Sequence, residues 1–303
     1  MQNGQCQAKT VKGSQCKRKA KVGSYCSQHA KKLGVTEGAD PIYTITFGDV
    51  CENDSNHGNQ QIGDKADHGF TVEDLELARD AFENVGIECE LVNLKLKTPA
   101  DLFDEVEDEA AVLVVKQGAP ALLMAEDLTV EDLLREQKEL NYDTKFIGRN
   151  GKVQNKRARH NICFGSESQE PNYEEGEGTI IAFEDVPALN CIREGLPEFF
   201  GDEASDMVAE GNLYYDPNKC GIGFHGDAER RKVIGLRIGG PMSLHFQWFH
   251  QSKPVGERVE FILESGDMYM MSEKAVGTDW RKRKVPTLRH AAGCEKYLTI
   301  KSK

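Results

Sequence analysis

The sequence predicts a chain in three parts. A small basic, metal-held module covers residues 1–33, an α/β domain covers 41–145, and a mainly-β domain of jelly-roll or sandwich type covers 146–303. Three observations predict this. The first 30 residues space three cysteines and a histidine through a segment with almost no apolar side chains. The middle segment alternates strand-like and helix-like apolar patterns. The last half is a succession of short strand-like runs separated by turn residues.

At 303 residues there is room for about two ordinary domains. No apolar run approaches the roughly 18 residues of a membrane span. The start, MQNGQCQAKTVKG, lacks the apolar stretch of a secretory signal. These features predict an intracellular chain without membrane contact. Nine cysteines, an odd count, do not suit a closed disulfide framework and read as thiols, some binding metal.

The net charge of −12 is unevenly spread. Residues 1–33 carry +8 and no acid, which leaves −20 for the rest. A basic arm on an acidic body points the arm toward a polyanion such as DNA or RNA; a solvated tail is the plainer reading.

In that arm, Cys6, Cys16, Cys26 and His29 form a Cys-x9-Cys-x9-Cys-x2-His pattern. Three thiolates and one imidazole make a tetrahedral zinc set. A segment this poor in apolar residues cannot bury a core, so zinc would have to supply the folding energy. The spacing resembles small Cys-Cys-Cys-His modules of the WRC type, which are associated with DNA binding.

LGVTEGADP, ending at Pro41, reads as a linker, and IYTITFGDV as a strand. Residues 51–69 are polar and loop-like, and include His57 and His68. Thr71 opens a helix with a capping-type T-V-E-D start, through Leu75, Ala78 and Phe82 toward Gly86. A strand (ECELVNLKL), a short helix after Pro99, a buried strand (AVLVVKQG) and a helix capped by Thr129 complete a βαβαβα pattern. It holds no Gly-rich phosphate loop and reads as a scaffold or interaction domain.

From about Phe146 the strand-like runs are NICF, GTIIAF, GNLYY, KVIGLRIG, SLHFQWF, RVEFILESGD, MYMMS and KYLTIK, interrupted by a helix over 187–200. Chemistry centres on His225-Gly-Asp227-Ala-Glu229-Arg230, preceded by Asn212-Leu-Tyr214. A His-x-Asp pair at a strand end, with one further histidine, makes a two-His-one-carboxylate triad. Such a triad leaves positions open on Fe(II). His290 lies in TLRHAAG; His245 and His250 follow the pair too closely to be the distal ligand.

This succession resembles the AlkB-like branch of the 2-oxoglutarate/Fe(II) dioxygenases over residues 145–303, and its layout is similar to AlkB-like chains encoded by large DNA viruses. The resemblance implies a double-stranded β-helix and Fe(II) and 2-oxoglutarate as cofactors. It implies oxidation of a C–H bond, in repair members on an N-methyl group of a nucleobase in DNA or RNA. It makes His225, Asp227 and His290 the iron ligands, sets Asn212 and Tyr214 beside 2-oxoglutarate, and sets Glu229 and Arg230 at the substrate cleft.

Two departures from the family pattern stand out. Asp279-Trp280-Arg281 is followed by Lys282 where the pattern has histidine, so His290 is the expected third ligand, with a rearranged site as the alternative. The last strand ends EKYLTIK, so Lys301 or Lys296 replaces the usual arginines for the far carboxylate of 2-oxoglutarate, with Arg289 or Arg237 as substitutes. The basic runs 230–232 and 281–284 fit phosphate contacts or solvated faces equally, and NKRARHNICF with His160 resembles the family's substrate-recognition element or is an edge strand with exposed arginines. The same chemistry on a protein side chain, and a non-catalytic nucleic-acid-binding protein, are the competing readings.

Overall fold

The computed structural model describes residues 41–53 and 60–300. The zinc-module residues Cys6, Cys16, Cys26 and His29, together with His57 and Lys301, lie outside the described residues.

The strands in chain order are β1 (Ile42–Gly48), β2 (Cys51–Glu52), β3 (Gln61–Ile62), β4 (Cys89–Asn93), β5 (Ala111–Val115), β6 (Lys145–Ile147), β7 (Val153–Asn155) and β8 (His160–Gly165). They continue with β9 (Ile180–Ala182), β10 (Val208–Tyr214), β11 (Gly221–His225), β12 (Val233–Gly239), β13 (Met242–His250), β14 (Lys253–Leu263), β15 (Met268–Met271) and β16 (Thr287–Gly293). The helices are α1 (Val72–Asn84), α2 (Ala119–Leu123), α3 (Val130–Glu139), α4 (Pro187–Phe200), α5 (Glu273–Val276) and α6 (Glu295–Leu298). The protein is a mixed α/β fold around a large, mostly antiparallel sheet.

That sheet has eight strands in the order β4-β5-β15-β12-β1-β10-β8-β9, and a second sheet runs β11-β16-β13-β14. All these pairings are antiparallel except β8 with β9. Period-two alternation sorts the large sheet's side chains into two cores. Tyr43, Ile45 and Phe47 of β1, Leu113 of β5, Ile234, Leu236 and Ile238 of β12 and Met270 of β15 pack under α1 and α4. The intervening Val112, Val114, Val233, Tyr269 and Met271 face Leu244, Phe246 and Trp248 of β13 and Leu288 of β16. Trp248 is fully buried there, and its indole N–H donates to the Leu94 carbonyl at 2.7 Å, so burial leaves no orphan donor.

The helix starts follow the sequence. Thr71 and Thr129 each close a capping box, with Asp74 and Asp132 reaching back to the cap. Glu136 of α3 accepts from the backbone N–H groups of Ala188 and Leu189, satisfying orphan donors at the start of α4.

Three expectations change. The boundary at 145 does not divide the structure: β1 lies between β10 and β12, and β5 pairs with β15. Strand hydrogen bonding between distant segments left no local trace in the sequence. The βαβαβα segment forms no sheet of its own, because β1, β4 and β5 all belong to the eight-stranded sheet, with β4 and β5 antiparallel. The C-terminal KYLTI is not a strand. The last strand is TLRHAAG, ending at Gly293 (φ 113°), and α6 follows with Tyr297 seated against Gly221, where any β-carbon would meet its ring at 2.6 Å.

Candidate metal centre

His225 ends β11 and His290 lies in the middle of β16, directly opposite it in the register. The two imidazole centroids are 4.5 Å apart. Asp227 follows just beyond β11, held by its backbone N–H donating to the Val276 carbonyl at 3.0 Å. Gly226 between them has no room for a side chain, because a β-carbon would meet the Gly277 carbonyl at 2.1 Å. The H-G-D spacing thus reflects a turn pressed against backbone.

One Asp227 oxygen lies 3.3 Å from His225 Nε2 and 3.5 Å from His290 Nε2. The candidate ligand atoms of all three residues lie within 4.8 Å of one another, a grouping no other described trio of ligand-type side chains matches. His225 Nδ1 lies 2.9 Å from the Gly223 carbonyl and 3.1 Å from that of His290. A proton held there leaves the Nε2 lone pair facing Asp227 and His290. Burial lowers the His290 pKa and the adjacent His225 adds to this, with Asp227 opposing; the ring is therefore a neutral donor. Burial pushes the Asp227 carboxyl up, but Arg230, His290 and His225 outweigh it and hold it well below the usual carboxylate range.

Arg230 sits beneath the triad and is buried. Its guanidinium lies 2.8 Å from Glu210, 3.0 Å from Glu229 and 3.4 Å from Asp227. Burial opposes its charge, and the three carboxylates overcome that penalty. Three carboxylates against one guanidinium leave surplus negative charge, which a divalent cation would neutralise. Burial and the Asp227 charge raise the Glu229 pKa, with Arg230 opposing. Arg230 supports and orients Asp227, and both it and Glu229 line the cavity into which the triad opens.

The triad opens into a cavity of about 260 Å³ between the two sheets. Thr44, Thr46, Asn212, Tyr214, Arg237 and Tyr269 line it from the large sheet. Asn212 accepts from Arg159 Nε and donates to Glu210 at 3.1 Å. Burial raises the Tyr214 pKa, so it is a neutral phenol. Gly235 is required here, since a β-carbon would meet the Tyr269 ring at 1.9 Å.

Arg237 is the residue that sequence reasoning ranked too low. It is only 1% exposed. One terminal nitrogen donates to Thr44 Oγ1 at 2.5 Å, Nε has no partner, and no carboxylate lies within ion-pair distance among the described residues. Burial lowers its pKa, partly offset by Tyr214, Tyr269 and Asp267. A buried guanidinium without an anion is costly, so this cavity favours an anionic guest. The available signal was an arginine at an alternate position in an apolar strand, VIGLRIG.

Lys296 is elsewhere. It lies on α6 with its ammonium over the Tyr297 ring, outside the cavity lining. His245 is buried on the opposite face of β13, 2.9 Å from Ser243 Oγ and 3.6 Å from Glu260. His68 and His250 are not part of the triad.

No family model matches the chain. The uncharacterized protein R156 of Acanthamoeba polyphaga mimivirus is 43% identical over 256 residues, covering 84% of this chain and 96% of that protein. The chain belongs to the same family. The relative's name assigns no activity, so its membership carries no chemistry across.

Proposed function

We propose that the chain is a 2-oxoglutarate- and Fe(II)-dependent dioxygenase of AlkB-like type, its two facing sheets forming a double-stranded β-helix. The observation that carries this reading is one cavity holding both the His225–Asp227–His290 set and the buried Arg237, which has no carboxylate partner among the described residues. Two imidazoles and one carboxylate suit Fe(II) and leave coordination positions open. When bound, Fe(II) and 2-oxoglutarate supply oxidation of a C–H bond by O2, releasing succinate and carbon dioxide.

His225, Asp227 and His290 would hold the iron. Arg230 keeps Asp227 ionised and aimed. Arg237, with Thr44 and Tyr214 beside it, offers donors for the far carboxylate of the cosubstrate, the role the sequence reading gave to Lys301 or Lys296. The guanidinium can bind it bidentately, which a lysine could not. Phe246 and Leu244 close the apolar side of the site and limit water there.

The substrate class implied by the resemblance is a methylated nucleobase, demethylated with loss of formaldehyde. The Cys6, Cys16, Cys26 and His29 zinc module would add nucleic-acid contact, in an intracellular setting. Anaerobic titration of the full chain with Fe(II) and then 2-oxoglutarate tests the reading. The expected result is one equivalent of iron bound and 2-oxoglutarate binding only after it, followed by O2-dependent succinate release with methylated oligonucleotides. Absence of Fe(II) binding at the triad would sink it.

A further inference from the structure

An unbroken row of guanidinium groups and aromatic rings crosses the outer face of the four-stranded sheet and ends at the cavity rim. Arg258 of β14 lies 4.9 Å from the centre of the Phe224 ring of β11. Phe224 and Phe249 of β13 are 5.9 Å apart. Arg289 of β16 lies 4.1 Å from the Phe249 ring and 5.3 Å from the Trp280 ring, and Arg281 lies 5.3 Å from Trp280. Trp280 and Arg281 themselves line the cavity that holds the triad. The row therefore starts on open surface and finishes at the chemistry.

None of its three arginines makes an ion pair among the described residues, in a chain whose net charge is −12. Of the acidic neighbours of Arg258 on β14, Glu257 pairs with Lys97, and Glu260 lies 3.6 Å from His245, whose charged form burial disfavours. Two donors in the row, Trp280 Nε1 and Arg289 Nε, are buried without a partner. Arg289 is destabilised as a cation by burial alone, with no carboxylate to offset it. Stacking on a ring fixes a guanidinium plane while leaving its edge donors free for phosphate. Phe249 is buried and seats Arg289, while the half-buried Phe224 and Trp280 keep ring surface that any base can use. An acidic peptide would satisfy the charges but has no use for the alternation.

We infer that this row, Arg258–Phe224–Phe249–Arg289–Trp280–Arg281, is a docking track for single-stranded nucleic acid that leads a nucleotide to the cavity. As a route to a reacting base, the inference rests on the oxygenase reading above; as a binding surface, it does not. A duplex has its bases already stacked and paired, so it would meet only the cations and bind more weakly.

The test uses the full chain, with fluorescence anisotropy on a labelled single-stranded oligonucleotide, its duplex and polyglutamate, plus ultraviolet cross-linking mapped to peptides. We expect the single strand to bind most tightly and to cross-link at Phe224 or Trp280. The double variant Arg258→Gln/Arg281→Gln should bind it about tenfold more weakly, with the slope of log affinity against log salt reduced by roughly 1.4. Cross-links confined to residues 1–33, unchanged affinity in the double variant, or equal binding of polyglutamate would each overturn the inference. Mn(II) binding, measured alongside, separates the two claims. A chain that binds the strand but no metal keeps the track and loses the oxygenase reading; one that binds metal but no strand does the reverse.

Discussion

The two faces of the eight-stranded sheet are both largely covered and chemically opposite. On β12, Ile234, Leu236 and Ile238 pack beneath the helices, while Val233 and Arg237 face the cavity. On β1, Tyr43, Ile45 and Phe47 oppose Thr44 and Thr46; on β10, Ala209 opposes Glu210, Asn212 and Tyr214. Alternation of this sort ordinarily marks one dry face and one wet face. Here it marks a core and a site. Buried polar groups on the second face are largely satisfied by one another, as where Arg230 meets its carboxylates, but Arg230 Nη1 and Arg237 Nε have no partner. The unsatisfied ones show where a guest belongs.

The sharpest test of this contrast is Asp227→Ala. It should abolish turnover and weaken Fe(II) or Mn(II) binding by more than about 100-fold, read by metal titration. The fold should survive, with unchanged far-ultraviolet dichroism. If metal binding persists, the cavity face is only an unusual core.

Leu236→Ala probes the opposite face of a neighbouring position. It should cost about 2–5 kcal/mol of stability in denaturant unfolding while leaving metal affinity intact. A matching loss of metal affinity would show that the two faces are not independent.

Arg237→Met should separate stability from binding. Affinity for 2-oxoglutarate should fall roughly 10–100-fold, the loss of one charged hydrogen-bonding group. The ligand-free protein should be as stable as before or more so, because an unpaired buried charge has been replaced by an apolar side chain of similar length. Loss of stability without loss of affinity would make Arg237 structural.

The smallest effect concerns pH at the sheet's edge. His160 of β8 is stacked on Tyr215, with ring centroids 4.4 Å apart. Burial lowers its pKa and Lys156 adds to that. The folded state thus holds this proton more weakly than the unfolded chain, whose histidine titrates near pH ~6.5. Its contribution is complete above that pH and is lost as pH falls through the lower folded value. His160→Phe should flatten the stability profile below neutrality, measured by thermal unfolding from pH 5 to 8. An unchanged profile would remove His160 from the account.

Local features were legible in the sequence because their causes are local. The two threonine capping boxes, the buried AVLVV strand and the paired His225 and Asp227 depend on residues within a few positions. His290 could be named by elimination, since it was the one histidine far enough along the chain. Its place in a strand was not legible, because TLRHAAG lacks the β-branched alternation that announces one.

The side chains able to hold a metal and the helix ends follow from the sequence alone. Their company follows from how the sheets assemble. The hydrogen-bond register of β16 against β11 put His290 opposite His225, and the pairing of β1 with β10 and β12 erased the expected boundary at 145. The same pairing put Arg237, and not Lys296, in the lining of the cavity. Strand pairing between distant segments is fixed by the burial of whole faces, a property of the assembled sheets rather than of any window of sequence.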